Sequence, residues 1–447
     1  GGEPKRARVE APPVSGGRLA SSSVQDLMPM YYARLFPYET MYRWLVYGND
    51  GKHAQADKGF FQRREFCFTL PGDIFVRYQS FRGKDDLEAA VKAKCPAKID
   101  IGPVYNTDPQ KQWGVAKDSG RQFGPVEREF VFDIDMDDYD DVLNVNLKSE
   151  GGWAACWPLM AAAVQVLDRG LREDFGFEHI MWVFSGRRGV HCWVNDSRAR
   201  QMTDHQRTAV ANYFSVYKGQ KKGRSHLDFT SPKHPAVARS LEILEEYWTR
   251  EVLPRQRILE EPATMDQVLS YIPDEDLVAR LREKWARGGG GGGGNVSVQR
   301  WRQLVADVER KARSSSTPRP QQRALWRCKD EIVFGFTYPR LDVGVSKHRN
   351  HLLKAPFCVH PKTGKVCVPF DPEHALAFDP DAVPTVYSLL NELDQKRGEK
   401  SPTWRDTRMA EAVEVMERTM LGKLVQANQE ALADKAREAA GKPSLEF

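Results

Sequence analysis

The spacing of hydrophobic and polar residues changes several times along the chain, and each spacing predicts a different element. Aromatic residues recur at helical spacing over 30–48 and are interrupted at Pro37, which predicts two short packed helices. Apolar and polar residues alternate on both sides of Pro71 and Gly72, in REFCFTL and DIFVRYQSF, which predicts a β-hairpin. The chain therefore begins with helical and strand patterns together.

The patterns that follow are mixed at first and then become purely helical. They predict a helix at 85–94, strands at 99–105 and 129–135, a long apolar helix at 154–175, and two strands that flank the segment SGRRG. From 203 to about 328 the strand patterns vanish and charged helical patterns replace them. Seven consecutive glycines at 288–294 interrupt this region and predict a flexible loop, because glycine has the most backbone entropy to lose.

Strand patterns return in the last third of the chain. They occur at 332–345 and again in PFCVHPKTGKVCVPF, where 361–364 predict a turn between two alternating arms. Symmetric pairing of these arms would place Cys358 opposite Cys367, and we interpret both as core thiols. The segment 403–441 has an amphipathic helical pattern that suits a cover or a partner surface.

These patterns predict a mixed α/β (α+β) fold that carries an inserted helical subdomain. The predicted division is a disordered basic tail at 1–24, a catalytic α/β domain in two parts at 25–200 and 329–380, a helical subdomain at 201–328 that contains the glycine loop at 288–294, and a C-terminal helical region at 381–447.

Composition narrows the class of protein without naming a function. The chain has 447 residues, 41% of them hydrophobic and 28% charged, which is ordinary for a globular protein. We expect no membrane association, because no apolar run reaches the roughly 20 residues that span a bilayer. The net charge of +5 permits nucleic-acid binding.

Two features of the sequence concern the compartment. Seven cysteines without a CxxC motif favour a reducing compartment. The basic segment PKRARVE resembles a nuclear-import signal.

The segment EFVFDIDMDDYDD contains the first candidate chemistry. Asp133 and Asp135 end an apolar strand, and residues two apart in a strand project from the same face. Two adjacent carboxylates repel each other unless a cation lies between them, so the pair indicates a divalent metal site. We interpret the acids at 137, 138, 140 and 141 as helix caps.

The segment SGRRGVH supplies a cationic turn between two strands. Arg187 and Arg188 offer planar guanidinium groups that match phosphate oxygens, and with His191 they would suit a triphosphate. Gly186 and Gly189 would let the backbone approach a ligand and donate its amides. Taken alone, the turn is equally typical of exposed arginines beside a core histidine, and the paired acids favour the phosphate interpretation.

A third segment, RLDVGVSKHRNHLLKAPFCVH, repeats the combination of an acid and several basic residues. Asp342 is predicted to end another apolar strand. The basic residues that follow it are Lys347, His348, Arg349, His351, Lys354 and His360.

Together these segments resemble a known family. The catalytic (small) subunit of eukaryotic DNA primase, of the archaeo-eukaryotic primase superfamily, is similar from about 29 to 379 in FDIDMDDYDDV, SGRRGVHCWV, PRLDVGVSKHRNHLLKAPFCVHPKTG, YYARLFPYETMYRWL, REFCFTL and KIDIG. The resemblance implies that Asp133, Asp135 and Asp342 bind two catalytic Mg²⁺ or Mn²⁺ ions. It also implies a set of nucleotide-binding residues: Glu65, Arg77, Asp100, Ser185, Gly186, Arg187, Arg188, Gly189, His191, His351, Lys354 and His360.

The resemblance further implies an activity, partners and a compartment. The expected activity is template-directed de novo synthesis of RNA primers from ribonucleoside triphosphates on single-stranded DNA. The expected partners are a large primase subunit and the DNA polymerase alpha complex, and the expected compartment is the nucleus. One feature departs from the family, because the interval that usually holds a structural zinc site retains only Cys156. A lone thiolate cannot supply tetrahedral coordination. Either packing of Trp153 and Trp157 stabilises the segment without the metal, or zinc ligands come from elsewhere in the chain, and we expect no zinc.

Two other functions fit parts of the sequence. A metal-dependent nucleotide-sugar glycosyltransferase also carries a DxD motif at the end of an apolar strand, but the cationic turn has more charge than a neutral sugar needs. A non-catalytic single-stranded nucleic-acid-binding module would use the basic loops, but three strand-end acids would repel phosphate.

Overall fold

The structure is a computed structural model that describes residues 22–112, 122–145, 149, 151–216, 229, 232–287, 294–396 and 401–440. Its helices are α1 (Val24–Arg34), α2 (Tyr38–Leu45), α3 (Lys84–Lys94), α4 (Gly152–Glu173), α5 (Ser197–Arg200), α6 (Asp204–Phe214), α7 (Pro235–Tyr247), α8 (Leu253–Gln256), α9 (Pro262–Leu269), α10 (Glu275–Ala286), α11 (Val296–Arg313), α12 (Arg319–Thr337), α13 (Val343–Lys347), α14 (Val386–Gln395), α15 (Met409–Met416) and α16 (Gly422–Ala440).

The strands form two antiparallel sheets. They are β1 (Arg64–Leu70), β2 (Ile74–Gln79), β3 (Lys98–Tyr105), β4 (Pro125–Glu127), β5 (Phe130–Asp135), β6 (Ile180–Phe184), β7 (Gly189–Val194), β8 (Leu353–Lys354) and β9 (Pro369–Phe370). The first sheet has the order β2-β1-β3-β4, with β8 also paired to β3, and the second has the order β5-β7-β6-β9. The predicted mixed α/β class is confirmed.

Several predicted elements of the first half are confirmed. Helices α1 and α2 lie on either side of Pro37, as the interrupted aromatic pattern indicated. Strands β1 and β2 pair antiparallel, with Leu70 opposite Ile74 and Gly72 in the turn at φ 81°. The long apolar helix is α4, which buries most of its length against the second sheet and its neighbours.

The strand predicted at 332–345 is wrong. Helix α12 continues through this segment to Thr337, and Asp342 then caps the short helix α13 by accepting a hydrogen bond from the N–H of Gly344 at 2.9 Å. The last turns of α12 bury Val333, Phe334 and Phe336. A helix that is buried on all sides shows the same continuous apolar run as a buried strand, so its spacing could not separate the two.

The second predicted hairpin is confirmed near its turn. The N–H of Cys367 donates to the carbonyl of Cys358 at 2.8 Å, and Val359 forms a bridge with Val366. Both thiols are buried and free, as expected for core cysteines. The C-terminal amphipathic pattern is helical in α15 and α16, which bury Met416 among other apolar residues.

The predicted domain division stays a prediction. Between β7 and β8 the described elements are all helical, in agreement with the pattern expected over 201–328. The glycine loop lies outside the described residues except for Gly294, and so do residues 1–21 of the basic tail. Across the described ranges, no helix combines the length and the apolar character that crossing a bilayer requires.

Candidate active site

Three carboxylates meet where the second sheet contacts the start of α13. Asp133 and Asp135 project from the same face of β5, while Ile134 between them is fully buried on the other face. The backbone N–H of Asp342 donates to the carbonyl of Asp133 at 3.2 Å, which joins the third acid to the strand. A cavity of about 600 Å³ opens here, and its lining is Asp133, Asp135, Asp137, Asp138, Ser215, Pro339, Arg340, Leu341 and Asp342.

The carboxylates of this cavity oppose one another electrostatically. Burial, together with the charges of Asp135 and Asp342, raises the pKa of Asp133 to about 7. Burial and the same two neighbours also raise the pKa of Asp138. The prediction that Asp133 and Asp135 stand close together is confirmed by their position on one face of β5 and by the cavity that both of them line.

Backbone groups hold two of the three acids in place. One oxygen of Asp135 accepts a hydrogen bond from the N–H of Asp137 at 3.0 Å, and one oxygen of Asp342 accepts from Gly344 in the same manner. Each carboxylate keeps a second oxygen for another ligand. Among the described residues, no group of three or more His, Cys, Asp or Glu side chains is already arranged around a metal position. The donor set nonetheless fits Mg²⁺ or Mn²⁺, since both prefer carboxylate oxygens and a cation relieves the repulsion at Asp133.

The turn 185–188 closes tightly on itself. The N–H of Ser185 donates to the carbonyl of Gly189 at 2.9 Å, and the N–H of Gly189 returns to the Ser185 hydroxyl at 3.0 Å. Gly186 has φ 85°, and its carbonyl accepts from the Thr363 hydroxyl at 2.7 Å. A Cβ on Gly189 would lie 2.3 Å from the carbonyl oxygen of Ile134. The N–H of Gly189 was expected to donate to a ligand, but it donates to Ser185 within the turn. The backbone of Gly189 was expected to approach a ligand closely, but it approaches the backbone of β5 instead.

Both arginines of the turn line a second cavity, and Arg188 also contacts acids of the first cavity. Arg188 pairs with Asp137, and its Nε lies 3.7 Å from Asp135 Oδ1, so it links the turn to the acidic cavity. Arg187 and Arg188 line this second, polar cavity of about 590 Å³ together with Thr363 and Lys365. Cationic and acidic groups therefore lie side by side, as an anion bound through a metal requires.

Lys354 and two histidines complete the cationic side of the site. The ammonium of Lys354 donates to the carbonyl of Ser185, which brings the third segment onto the turn. Burial and the charge of Lys354 lower the pKa of His191 to about 3, and burial with Lys354 and Arg187 lowers the pKa of His360 to about 4. Both imidazoles are neutral near pH 7. His191 was grouped with the cations of the turn, but it is an uncharged residue on β7 whose Nε2 lies 3.6 Å from Asp133.

Three of the residues that the resemblance assigns to nucleotide binding lie on the first sheet, and we call these three the outer wall: Glu65, Arg77 and Asp100. Glu65 is fully buried and accepts hydrogen bonds from Arg77 Nε at 2.9 Å, from the N–H of Tyr78 at 3.2 Å and from the Tyr105 hydroxyl at 2.9 Å. Asp100 lies in register with Lys354 in the β3–β8 pair, and Lys98 contacts its carboxylate at 3.0 Å.

His351 is near enough to Asp342 and Arg77 for both charges to affect the pKa of its imidazole. Burial and the charge of Arg128 lower its pKa, while the nearby Asp342 raises it. Arg128 is fully buried and donates from Nε to the carbonyl of His351 at 2.8 Å. Sequence reasoning missed Arg128, Thr363 and Asp137 as neighbours of the site. Arg128 could have been found from the sequence, because Arg128 and Glu129 are charged residues directly before an apolar strand.

The interval without the usual cysteine cluster is held by a glutamine. Gln256 Oε1 accepts from the N–H groups of Asn144 at 3.0 Å and Val145 at 3.2 Å, while its Nε2 donates to the carbonyl of Ala155 at 2.9 Å. Cys156 is buried, and burial raises the pKa of its thiol to about 11. The absence of zinc stays a prediction, and the structure shows a protonated thiol at Cys156 in contact with the bridging amide of Gln256.

Known proteins include relatives of this chain. Residues 132–372 match the family model described as DNA primase small subunit. The DNA primase small subunit of Schizosaccharomyces pombe is 40% identical over 372 residues, which cover 83% of this chain and 78% of that protein. The DNA primase small subunit of Drosophila melanogaster is 39% identical over 374 residues, or 83% of this chain and 82% of that protein. The DNA primase small subunit PriS of Haloarcula marismortui is 27% identical over 143 residues, or 32% and 34% of the two chains.

Proposed function

The chain belongs to the family of DNA primase small subunits, and we propose that it synthesises RNA primers de novo on single-stranded DNA by nucleotidyl transfer at the Asp133 site. The observation that carries this proposal is the convergence of Asp133, Asp135 and Asp342 on one cavity beside a cationic turn. A bound cation would reduce the repulsion between the three carboxylates, and the neighbouring arginines and lysine would attract an anion. A nucleoside triphosphate with its metal ion supplies both the cation and the anion.

The three carboxylates would hold the metal. Each would contribute an oxygen, with Asp135 and Asp342 kept in position by the backbone N–H groups that they already accept. Bound Mg²⁺ or Mn²⁺ would supply Lewis-acid activation of a 3′-hydroxyl and charge neutralisation at the leaving pyrophosphate.

The basic residues of the site would bind the triphosphate. Arg187 and Arg188 offer guanidinium groups whose charge persists at any relevant pH, and Lys354 adds an ammonium that is anchored to the turn. The neutral imidazoles of His191 and His360 would contribute hydrogen bonds rather than charge. Glu65 and Asp100 would orient the ribose side through Arg77 and Lys98. Arg128 would keep the backbone of His351 in place at the edge of this pocket.

One assay tests this proposal. The protein is incubated with poly(dT), ATP and Mg²⁺ or Mn²⁺, and short RNA products are resolved by electrophoresis. We expect RNA from the natural sequence, no RNA from Asp133→Ala, and retained binding of single-stranded DNA by that variant. Robust synthesis by Asp133→Ala would overturn the metal assignment. Sugar transfer from a nucleotide sugar, or DNA binding with no synthesis by the natural chain, would favour the two rival functions.

The partners and compartment are further proposals. A family named for its small subunit implies a complex with another subunit. We propose that this partner is a large primase subunit, that the pair associates with the DNA polymerase alpha complex, and that the assembly acts in the nucleus. Co-purification of the tagged chain with its partners from nuclear extract tests all three.

A further inference from the structure

A β-bulge places an arginine and a tyrosine together at the outer wall of the site. Between the pairs Phe66–Gln79 and Phe68–Val76, strand β1 has one residue and strand β2 has two, Arg77 and Tyr78. A bulge of this kind changes the direction of side chains, and such bulges are frequent beside active sites. Here the guanidinium carbon of Arg77 lies 4.9 Å from the centre of the Tyr78 ring, although neighbours in a regular strand point to opposite faces.

The backbone of the bulge is strained at Tyr78, which lies within strand β2 and not in a turn. Tyr78 has φ 56°, a left-handed conformation that is unfavourable for a bulky side chain. The buried carboxylate of Glu65 maintains it by accepting the N–H of Tyr78 and two N–H groups of Arg77 at once. Backbone strain that neighbouring side chains maintain is often found at functional sites, so the strained conformation of Tyr78 makes it a candidate functional residue.

Two further aromatic rings extend this cluster. The rings of Tyr105 and Phe123 are stacked with their centres 4.2 Å apart, and each lies 6.3 Å from the Tyr78 ring. Asn106 brackets Phe123, because its side chain donates to the carbonyl of Gln122 at 2.8 Å and its backbone N–H donates to the carbonyl of Gly124 at 3.1 Å. Tyr105 is buried, whereas Tyr78 and Phe123 are half-buried and the Arg77 side chain is 39% exposed.

We propose that Arg77, Tyr78 and Phe123 form a stacking platform for a nucleobase. Aromatic rings and guanidinium planes are the surfaces on which bases stack without regard to sequence, and the Tyr78 and Phe123 side chains are only half-buried. The platform lies near the proposed nucleotide site, because Glu65, which holds Arg77 and Tyr78, is on β1. Strand β1 pairs with β3, and β3 pairs with β8 where Asp100 is in register with Lys354. This inference rests on the proposed function, which requires two nucleotides to be held on a template. The base could belong to a bound nucleotide or to the template strand.

The test compares ligands with and without a base. Affinities for ATP, for ribose 5-triphosphate and for oligo(dT) are measured by calorimetry in Mg²⁺ for the natural chain, Phe123→Leu, Phe123→Tyr and Trp326→Leu. Trp326 is 44% exposed on α12 and outside the cluster, so its variant is the control for loss of an exposed aromatic ring. Phe123→Tyr keeps the ring and should keep most of the affinity, and the melting temperature checks folding.

We expect Phe123→Leu to weaken ATP binding about tenfold, the scale of one base–aromatic stack, with ribose 5-triphosphate unaffected. A similar loss confined to oligo(dT) also supports the platform and assigns the base to the template. Equal loss for ATP and ribose 5-triphosphate, or no loss for any base-bearing ligand, overturns it. These binding measurements do not require catalysis, so a chain that makes no RNA but distinguishes ATP from ribose 5-triphosphate through Phe123 would refute the proposed function and leave the platform standing.

Discussion

The backbone N–H of Asp342 donates to the carbonyl oxygen of Asp133 at 3.2 Å, and this bond joins two acids that are far apart in the chain. It continues the hydrogen bonding of β5 with a residue that is not in a strand. The two carboxylates thereby face one cavity, and their mutual repulsion becomes part of the resting state. A site built in this way is under electrostatic strain, which a bound cation would relieve.

That strain predicts a stability gain for Asp133→Asn in the absence of divalent metal. The pKa of Asp133 is raised from 3.8 to about 7 in the folded protein, so stability is lost as pH rises from about 4 to about 7, and the loss stays constant above that. The asparagine variant should therefore melt at a higher temperature than the natural chain in EDTA, with a larger difference at pH 8 than at pH 5.

In Mg²⁺ the natural chain should have a higher melting temperature than Asp133→Asn, the reverse of their order in EDTA. Metal should raise the melting temperature of the natural chain more than that of the variant, since a ligand that binds the folded state stabilises it. Asp140→Asn is the control, because Asp140 is exposed and does not line the acidic cavity. Equal shifts for Asp133→Asn and the natural chain would contradict the metal assignment.

Arg188→Lys should weaken nucleotide binding while the fold stays intact. Lysine retains a charge that can pair with Asp137, but it lacks the planar fork that also reaches Asp135. We expect the apparent KM for ATP to rise about tenfold, the cost of one charge-assisted hydrogen bond. Steady-state kinetics on poly(dT) measure this, with Arg198→Lys, outside the site, as the control. Unchanged kinetics would show that Arg188 does not bind the nucleotide and that the turn 185–188 has only a structural role.

Gly189→Ala should destabilise the second sheet. Its Cβ would lie 2.3 Å from the carbonyl oxygen of Ile134, a backbone atom that cannot move without breaking the β5–β7 ladder. We expect a loss of about 2–3 kcal/mol in the free energy of unfolding, as for other overpacked sites. Gly83→Ala is the matched control, because a Cβ there meets nothing within 4 Å. Denaturant unfolding of both variants decides whether close packing explains this glycine.

Arg64→Met should cost stability and change its dependence on pH. Arg64 and Glu129 are both fully buried and share two hydrogen bonds of 2.9 Å. Burial opposes ionisation of Glu129, but Arg64 and the Tyr47 hydroxyl outweigh it and lower the pKa to about 2. The ionised carboxylate therefore adds stability above pH 4.5, and this stability is lost as pH falls towards 2.

Without Arg64 the carboxylate is left buried beside fewer partners, so we expect a loss of about 3–5 kcal/mol near pH 7. The loss should shrink on acidification, because protonation then relieves the buried charge. Urea unfolding at pH 7, 5 and 4 tests this. A loss that is independent of pH would mean that packing, and not the ion pair, accounts for the effect.

Gln256→Leu should destabilise the interval that lacks the cysteine cluster. The variant would leave the N–H groups of Asn144 and Val145 without their acceptor, at about 1–3 kcal/mol for each buried group. Gln201→Leu, on an exposed position, should stay within about 0.5 kcal/mol. Elemental analysis should find no stoichiometric zinc in the natural chain, and a zinc chelator should leave its melting temperature unchanged. One bound zinc per chain would refute this interpretation.

Local sequence determined much of this protein. The helices on either side of Pro37, the first hairpin, the long helix and the same-face pair Asp133 and Asp135 follow from periodicity and turn residues, which depend on neighbours a few positions apart. The motif resemblance likewise identified the family, and the residues of the acidic and cationic segments do lie together.

Tertiary structure decided the rest, because it depends on contacts between distant segments. The run 332–337 continues helix α12, but neighbouring elements bury it on every side, so its apolar spacing could not distinguish this helix from a buried strand. The neutrality of His191 and His360 comes from burial beside Lys354, which approaches from another part of the chain. The amide of Gly189, the link from Arg188 to Asp137 and the aromatic cluster around Glu65 likewise exist only once the two sheets have formed. The sequence named the groups that carry the chemistry, and folding set their charge, their partners and their separation.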